Sequence, residues 1–282
     1  MGRYIGFRLH PFSWGECLSP GTQSNPDDIL QIFNAKYSTY KHNSLFDDLW
    51  TFGGFPEPLF RQSHEFANIW RRGRIEKLIR EDLRDLSRIP ELSQVEMLVA
   101  LLPDRIGSLL IIQSLREDLE VAHDTVKRWI DYLKQLYYLF ELKPYSKSLP
   151  RSLKKEGKIY LYDWAEVDSQ GPRFENMVAC HLLKACHFWT DIGKGRFELH
   201  YLRNKEKKEV DFLVLRDRKP WITVECKLSD MSFDPSILSF SKQLGIKHHI
   251  QLHKGKQPKV RADQGDLKVV LAGASEFLSL LP

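Results

Sequence analysis

Residues 197–228 read FELHYLR, NKEKKE, VDFLVL, RDRKP and WITVECKL in succession. Three strand-like runs are separated by two charged turns. A loop from Arg216 to Pro220, centred on Arg218, pairs the last two runs so that Leu215 faces Trp221, Leu213 faces Thr223 and Asp211 faces Glu225. Side chains alternate along a strand, so Asp211, Glu225 and Lys227 fall on one face with Leu213, Leu215 and Trp221. Val210, Phe212, Val214, Ile222, Val224 and Cys226 fall on the other. Opposed Cβ atoms lie roughly 4.5–5.5 Å apart. Two carboxylates that close repel, and they need a divalent metal, a basic side chain or a shared proton. The plainer alternative is a solvated ion network in which Lys227 pairs with Glu209.

A third acid lies upstream. The stretch GPRFENMVACHLLKAC reads as a helix starting near Pro172, a favoured first-turn residue. Glu175 leads Val178, Ala179 and Leu182 at offsets of three, four and seven, which puts a carboxylate on the apolar stripe of its helix. A helical Glu, an Asp on a hairpin strand and E-x-K on the next strand resemble the PD-(D/E)XK nuclease fold, the matching residues being Glu175, Asp211, Glu225 and Lys227. The resemblance implies that Glu175, Asp211 and Glu225 hold Mg2+ or Mn2+. It also implies that Lys227 helps to activate water for attack on a phosphodiester.

The chain has 282 residues, 42% hydrophobic and 28% charged, with a formal net charge of +5. That is an ordinary globular composition, and its charge permits nucleic-acid binding without requiring it. No run is apolar enough to span a membrane, and no signal peptide stands at the N-terminus, so a cytoplasmic chain without a membrane partner is expected. The four cysteines Cys17, Cys180, Cys186 and Cys226 lack C-x-x-C spacing, which suits free thiols.

Residues 1–60 open with a strand-like run, YIGFRLH, followed by a short helical run near Asp27–Asn34. FGGFPEPLF then reads as a turn-rich strap between helices. Residues 62–88 read as a long amphipathic helix carrying Phe66, Ile69, Trp70, Leu78, Ile79 and Leu86. A second helix after Pro90 carries Val95, Leu98, Val99 and Leu102. A short strand (Leu109–Ile112), a helix (Gln113–Leu119), a turn, a helix from Asp124 and a strand at Tyr138–Leu142 complete the order of a winged helix-turn-helix. In DNA readers of this kind the start of the second helix enters the major groove. Thr125, Lys127, Arg128 and Lys134 are the contact candidates, with Lys143 and Lys147 beside the wing.

The expected fold class is therefore α+β or α/β: a helical winged-helix module followed by a restriction-endonuclease-like PD-(D/E)XK domain. The expected units are residues 1–60, 61–148 and 149–282. GRYIGFRLHPFSWGE, GGFPEPLF, TVKRWIDYLKQLYYLFEL and the pair EVDFLV and VECK together resemble the C-terminal part of a prokaryotic AAA-related P-loop ATPase family. In that family an ATPase domain precedes a winged helix and a nuclease-like domain of unknown function. On this resemblance residues 1–60 are the remnant of the ATPase lid or linker. No G-x-x-x-x-G-K-[ST] occurs in the sequence, so no ATP site and no ATP hydrolysis are expected of this chain alone. Three functions follow as alternatives. One is a Mg2+- or Mn2+-dependent nuclease acting on DNA. Another is a noncatalytic DNA-binding or regulatory fragment of such an ATPase. The third is a protein-interaction scaffold for a separate ATPase domain or another protein.

Overall fold

The computed structural model describes residues 6–19, 25–34, 44–82, 92–146, 156–229, 232–255 and 259–282. It is a mixed α+β structure, with a helical N-terminal part and a mixed sheet in the C-terminal part. The helical part comprises α1 (Trp14–Leu18), a 3-10 helix (Pro26–Phe33), α2 (Ser44–Phe52), α3 (Pro56–Arg61) and α4 (His64–Lys77), which loosens into a π turn at Leu78–Asp82. Then come α5 (Leu92–Leu101), α6 (Ile112–Leu119) and α7 (His123–Gln135). β1 (Leu139–Leu142) pairs antiparallel with β2 (Lys158–Leu161).

Several local expectations need correction. The described part of YIGFRLH is not a strand; its Arg8 instead bonds Asp191, with Arg8 Nε 3.1 Å from Oδ2. FGGFPEPLF is not all loop, because α3 begins at Pro56, whose fixed φ suits a first helical turn. Leu109–Ile112 is no strand either: Leu109 makes a single bridge to Lys158, and α6 already starts at Ile112. Lys147 and Leu86 lie outside the described residues. The reading of α7 agrees with its structure. Val126, Trp129, Ile130 and Leu133 recur at helical spacing and are all buried, each contributing about 1.5–3 kcal/mol by leaving water.

The C-terminal part is built on α8 (Gln170–Asp191) and a six-stranded sheet. Its strands are β3 (Phe197–Arg203), β4 (Glu209–Arg216), β5 (Lys219–Lys227), β6 (His248–His253), β7 (Val260–Arg261) and β8 (Lys268–Gly273), ordered β3-β4-β5-β6-β8-β7. β3, β4 and β5 form an antiparallel meander; β5, β6 and β8 run parallel. α9 (Ser236–Leu244) joins β5 to β6, and α10 (Ala274–Leu278) follows β8. A parallel step needs such a crossover. One face of the sheet (Phe212, Val214, Ile222, Val224, Ile250, Leu252) joins α8 and the helical part in one continuous core. The other face (Leu202, Val210, Leu213, Leu215, Val269, Leu271) packs on Ile237 and Phe240 of α9.

The meander departs from the expected register at two places. The β4–β5 connection is a two-residue turn in which Asp217 and Arg218 both have positive φ, 51° and 65°. That is the twist a tight hairpin favours. The Asp217 carboxylate accepts from the Arg196 N–H at 2.9 Å, which helps hold this conformation without glycine. Leu215 therefore pairs with Pro220 rather than Trp221, and a bulge restores Leu213 opposite Thr223. A second bulge lies opposite Tyr201: Leu202 pairs with Val210 but His200 with Leu213. Strict alternation fails there. Val210 and Phe212 belong to opposite cores, and so Asp211 does not keep to the face of Leu213 and Leu215.

Candidate functional site

At the bulge the β4–β5 ladder is closed by side chains. The last backbone pair on this side is Phe212 with Val224. Beyond it the Asp211 N–H donates to Glu225 Oε2 at 3.1 Å, and the Cys226 N–H donates to Asp211 Oδ2 at 2.9 Å. Each carboxylate thus satisfies a backbone donor of the neighbouring strand, which would otherwise be left unpaired.

The charge of the acids is met by lysines. Lys158, at the start of β2, has a side chain only 3% exposed, and its Nζ lies 3.2 Å from Glu175 Oε1, 2.5 Å from Glu209 Oε1 and 3.8 Å from Asp211 Oδ1. The Tyr160 hydroxyl donates to the same Glu175 oxygen at 2.6 Å. Arg203 holds the second oxygen of Glu209 at 2.9 Å. Burial by itself would lower the pKa of Lys158, but Glu175, Asp211 and Glu209 raise it well above the ordinary lysine value, so the ammonium stays charged. Asp211 moves the other way for a carboxyl. Burial, then repulsion from Glu175 and Glu225, raise its pKa well above 3.8 against the pull of Lys158. Two cations, Lys158 and Arg203, thus stand against Glu175, Glu209 and Asp211. From the helical part, Gly107 closes over it. A Cβ at this position (φ 75°) would meet Glu175 Oε2 at 2.9 Å.

A second lysine centre lies beside it. Lys227 Nζ is 2.9 Å from Glu225 Oε1 and 3.4 Å from Asp234 Oδ2. The expected pairing of Lys227 with Glu209 is thus replaced: Glu209 goes to Lys158 and Arg203, because the bulge turns this end of β4 toward β2. Burial raises the pKa of Glu225 while Lys227 opposes it.

Glu175 and Asp211 are therefore brought together through Lys158, and Glu225 meets Asp211 through its backbone while bonding Lys227. Among the described residues no three His, Cys, Asp or Glu side chains converge as metal donors. The donor set as it stands does not fit Mg2+, which requires near-octahedral oxygens and keeps several waters. The ammonium of Lys158 occupies the space among the acids, and a hydrogen bond already engages one oxygen of each of Asp211 and Glu225. Lys158, Tyr160 and Glu209 were not singled out from sequence as members of this cluster. The available signal was KIYL, an apolar strand opening on a lysine, since a buried cation needs a partner.

On α7, Lys127 and Arg128 are exposed and Thr125 is half-buried. Lys134 is engaged, 3.0 Å from Asp131 Oδ1 and 3.1 Å from Glu141 Oε2. Lys143 lies 2.5 Å from Glu141 Oε1.

Residues 43–165 match the family model for a domain of unknown function (DUF8612). Residues 170–271 match that for another domain of unknown function (DUF4143), one found in AAA-ATPase-associated C-terminal regions. Uncharacterized proteins of Mycobacterium tuberculosis and Mycobacterium bovis are each 30% identical over 122 residues, covering 43% of this chain and 27% of theirs. An uncharacterized protein of Haemophilus influenzae is 22% identical over 225 residues, covering 75% of this chain and 50% of its own length. The match thus spans half or less of each of these relatives. No solved structure matches. No helix among the described residues is long and apolar enough to cross a membrane.

Proposed function

We propose that this chain is a noncatalytic, nuclease-like module of an AAA-type ATPase system that binds nucleic acid without cleaving it. The carrying observation is Lys158, whose buried ammonium reaches Glu175, Glu209 and Asp211. A PD-(D/E)XK nuclease leaves that space to a divalent cation; here the chain supplies its own. The nuclease-like fold is supported by a long helix bearing Glu175 beside a meander bearing Asp211, Glu225 and Lys227. A winged-helix reading of the helical part is supported by the order α5, α6, α7 and β1, with Lys127 and Arg128 exposed for DNA contact. The DUF4143 match supports the link to a separate or covalently joined ATPase domain.

The test compares wild type with Lys158→Met in thermal unfolding with and without Mn2+, and in cleavage of single- and double-stranded DNA. Wild type should bind DNA in a salt-dependent way, gain no melting temperature from Mn2+ and cut nothing. Mn2+ should stabilise only Lys158→Met, where the acids have lost their cation. Wild-type cleavage that needs Mg2+ or Mn2+ and disappears in Asp211→Asn would overturn the proposal. It would establish instead the metal-dependent nuclease, which the half-exposed Lys227 beside Glu225 favours.

A further inference from the structure

A cleft of about 620 Å3 lies on the α9 side of the sheet, away from the Lys158 cluster's buried core. One wall is the β3–β4 turn with Arg203, Asn204, Lys205 and the acidic Glu206; the other is α9 with Ser239 and Gln243; Tyr145 lines it as well. We infer that this cleft seats a single-stranded nucleic acid, with Lys205 as the phosphate contact in its wall, the exposed Lys207 and Lys208 of the same turn as phosphate contacts just outside it, and Tyr145 as a stacking platform. The inference rests on the nucleic-acid reading proposed above and places the ligand outside the winged helix.

The argument is one of which cations remain free. Around the acidic centre Lys158, Arg203, Lys134 and Lys143 are all ion-paired. A cation already neutralised at close range gains little from a phosphate. Lys205, Lys207 and Lys208 are exposed and, among the described residues, form no ion pair. Only Glu206 is acidic among the turn residues 204–208, and Glu209 beyond them is already held from two sides.

The turn is also rigid. The Lys208 N–H donates to Asn204 Oδ1 at 2.9 Å, and the Asn204 N–H to the Lys208 carbonyl at 3.0 Å. Lys207 sits at φ 63°, and its N–H donates to the Asn204 carbonyl at 3.2 Å. Three ammonium groups are thereby held on a fixed backbone, which reduces the ordering cost of binding. Tyr145 is half-buried, its N–H donates to the Tyr201 carbonyl at 2.8 Å, and its ring meets His200 edge-on. A basic track with an aromatic ring beside it is how single strands are held without base readout. The cleft is too small to admit a duplex.

The experiment measures fluorescence anisotropy of a labelled oligo-dT with the full chain across a salt series. The main variant is Lys205→Ser/Lys207→Asn/Lys208→Ser; Asn is used at 207 because it tolerates positive φ. It should lose at least tenfold in affinity, and its slope of log affinity against log salt should become shallower by about 2, at roughly 0.7 per phosphate contact. Tyr145→Leu, which keeps an apolar group on the core, should weaken binding roughly fivefold or more at unchanged salt slope. The comparison variant is Lys127→Ser/Arg128→Ser, at the duplex contact proposed above. Unaltered affinity in the turn variant, with loss in the α7 variant, would overturn the cleft while leaving the nucleic-acid reading intact. Absence of binding by wild type to single or double strands would overturn both. Displacement of oligo-dT by poly-glutamate at equal charge concentration would overturn it in favour of an acidic peptide.

Discussion

Two lysines hold carboxylates of the neighbouring strands β4 and β5, one from β2 of the two-stranded sheet and one from β5 itself, and they differ in burial. Lys158 is 3% exposed and meets Glu175, Glu209 and Asp211; Lys227 is 31% exposed and meets Glu225 and Asp234. Water can replace Lys227 at Asp234, which is 31% exposed, and in part at Glu225. It cannot replace Lys158. Similar ion pairs therefore do different work: the buried one fixes the packing of β2 against α8 and β4, while the other adjusts an exposed strand end. This makes the Lys158 centre the stronger structural constraint, and the Lys227 centre the one open to a ligand.

The largest difference should appear on removing each cation. Lys158→Met leaves Glu175 and Glu209 with one cation fewer in a site closed by Gly107, and it should cost about 3–5 kcal/mol in urea unfolding, as expected when a buried pair loses one member. Loss of less than about 1 kcal/mol would mean that water reaches the cluster, and the contrast with Lys227 would collapse.

Next in size is pH dependence, where Asp211 and Asp234, one acid from each centre, should carry opposite signs. Asp211 binds its proton more tightly in the folded chain than in the unfolded one. Its contribution is whole below 3.8 and is lost as pH climbs through its raised folded value. Asp234 is the reverse: although burial opposes it, the Ser236 N–H and Lys227 hold its pKa below 3.8. Its contribution is present above 3.8 and is lost as pH falls further. Asp211→Asn, which imitates the protonated acid and can still accept from Cys226, should flatten the decline of stability with rising pH above 3.8. Asp234→Asn should flatten the decline on the acid side. Both are read from urea midpoints across pH; slopes of the same sign at both sites would break the comparison.

The sequence carried part of this contrast. The alternation of apolar and charged residues in VDFLVL and WITVECK gave the pairing of Leu213 with Thr223, which holds. It also brought Asp211 close to Glu225, whose carboxylate bonds the Asp211 N–H. It could not give the bulge opposite Tyr201, because an extra residue in one strand leaves no compositional mark when neither side contains glycine or proline there. Nor did it show Asp217 and Arg218 as the hairpin turn, since Arg218 adopts a backbone conformation that local sequence signals reserve for Gly, Asn and Asp. Lys158 was hidden for another reason. It is 17 residues before Glu175 and 53 before Asp211, on a strand paired with β1, and only tertiary packing makes it their partner. Helix α7 was legible because its apolar period is local and nearly complete.

The smallest expected effect is at the exposed centre. Lys227→Ala removes a partner that water can replace at Asp234 but only in part at the buried Glu225, to which the Asp211 N–H still donates. The pair is intermediate between a surface pair and a buried one, because Glu225 is only 8% exposed, so stability should fall by about 1–2 kcal/mol, less than for Lys158→Met, and the loss should shrink in high salt. If Lys227 is instead a group that meets a substrate phosphate, the same substitution leaves stability nearly untouched and lowers oligonucleotide affinity or cleavage. Measuring both on one preparation separates a strand-end ion pair from a ligand contact. A stability loss near that of Lys158→Met would show that Lys227 is as deeply committed to the fold as its buried neighbour, and that the division between a structural and an accessible lysine is wrong.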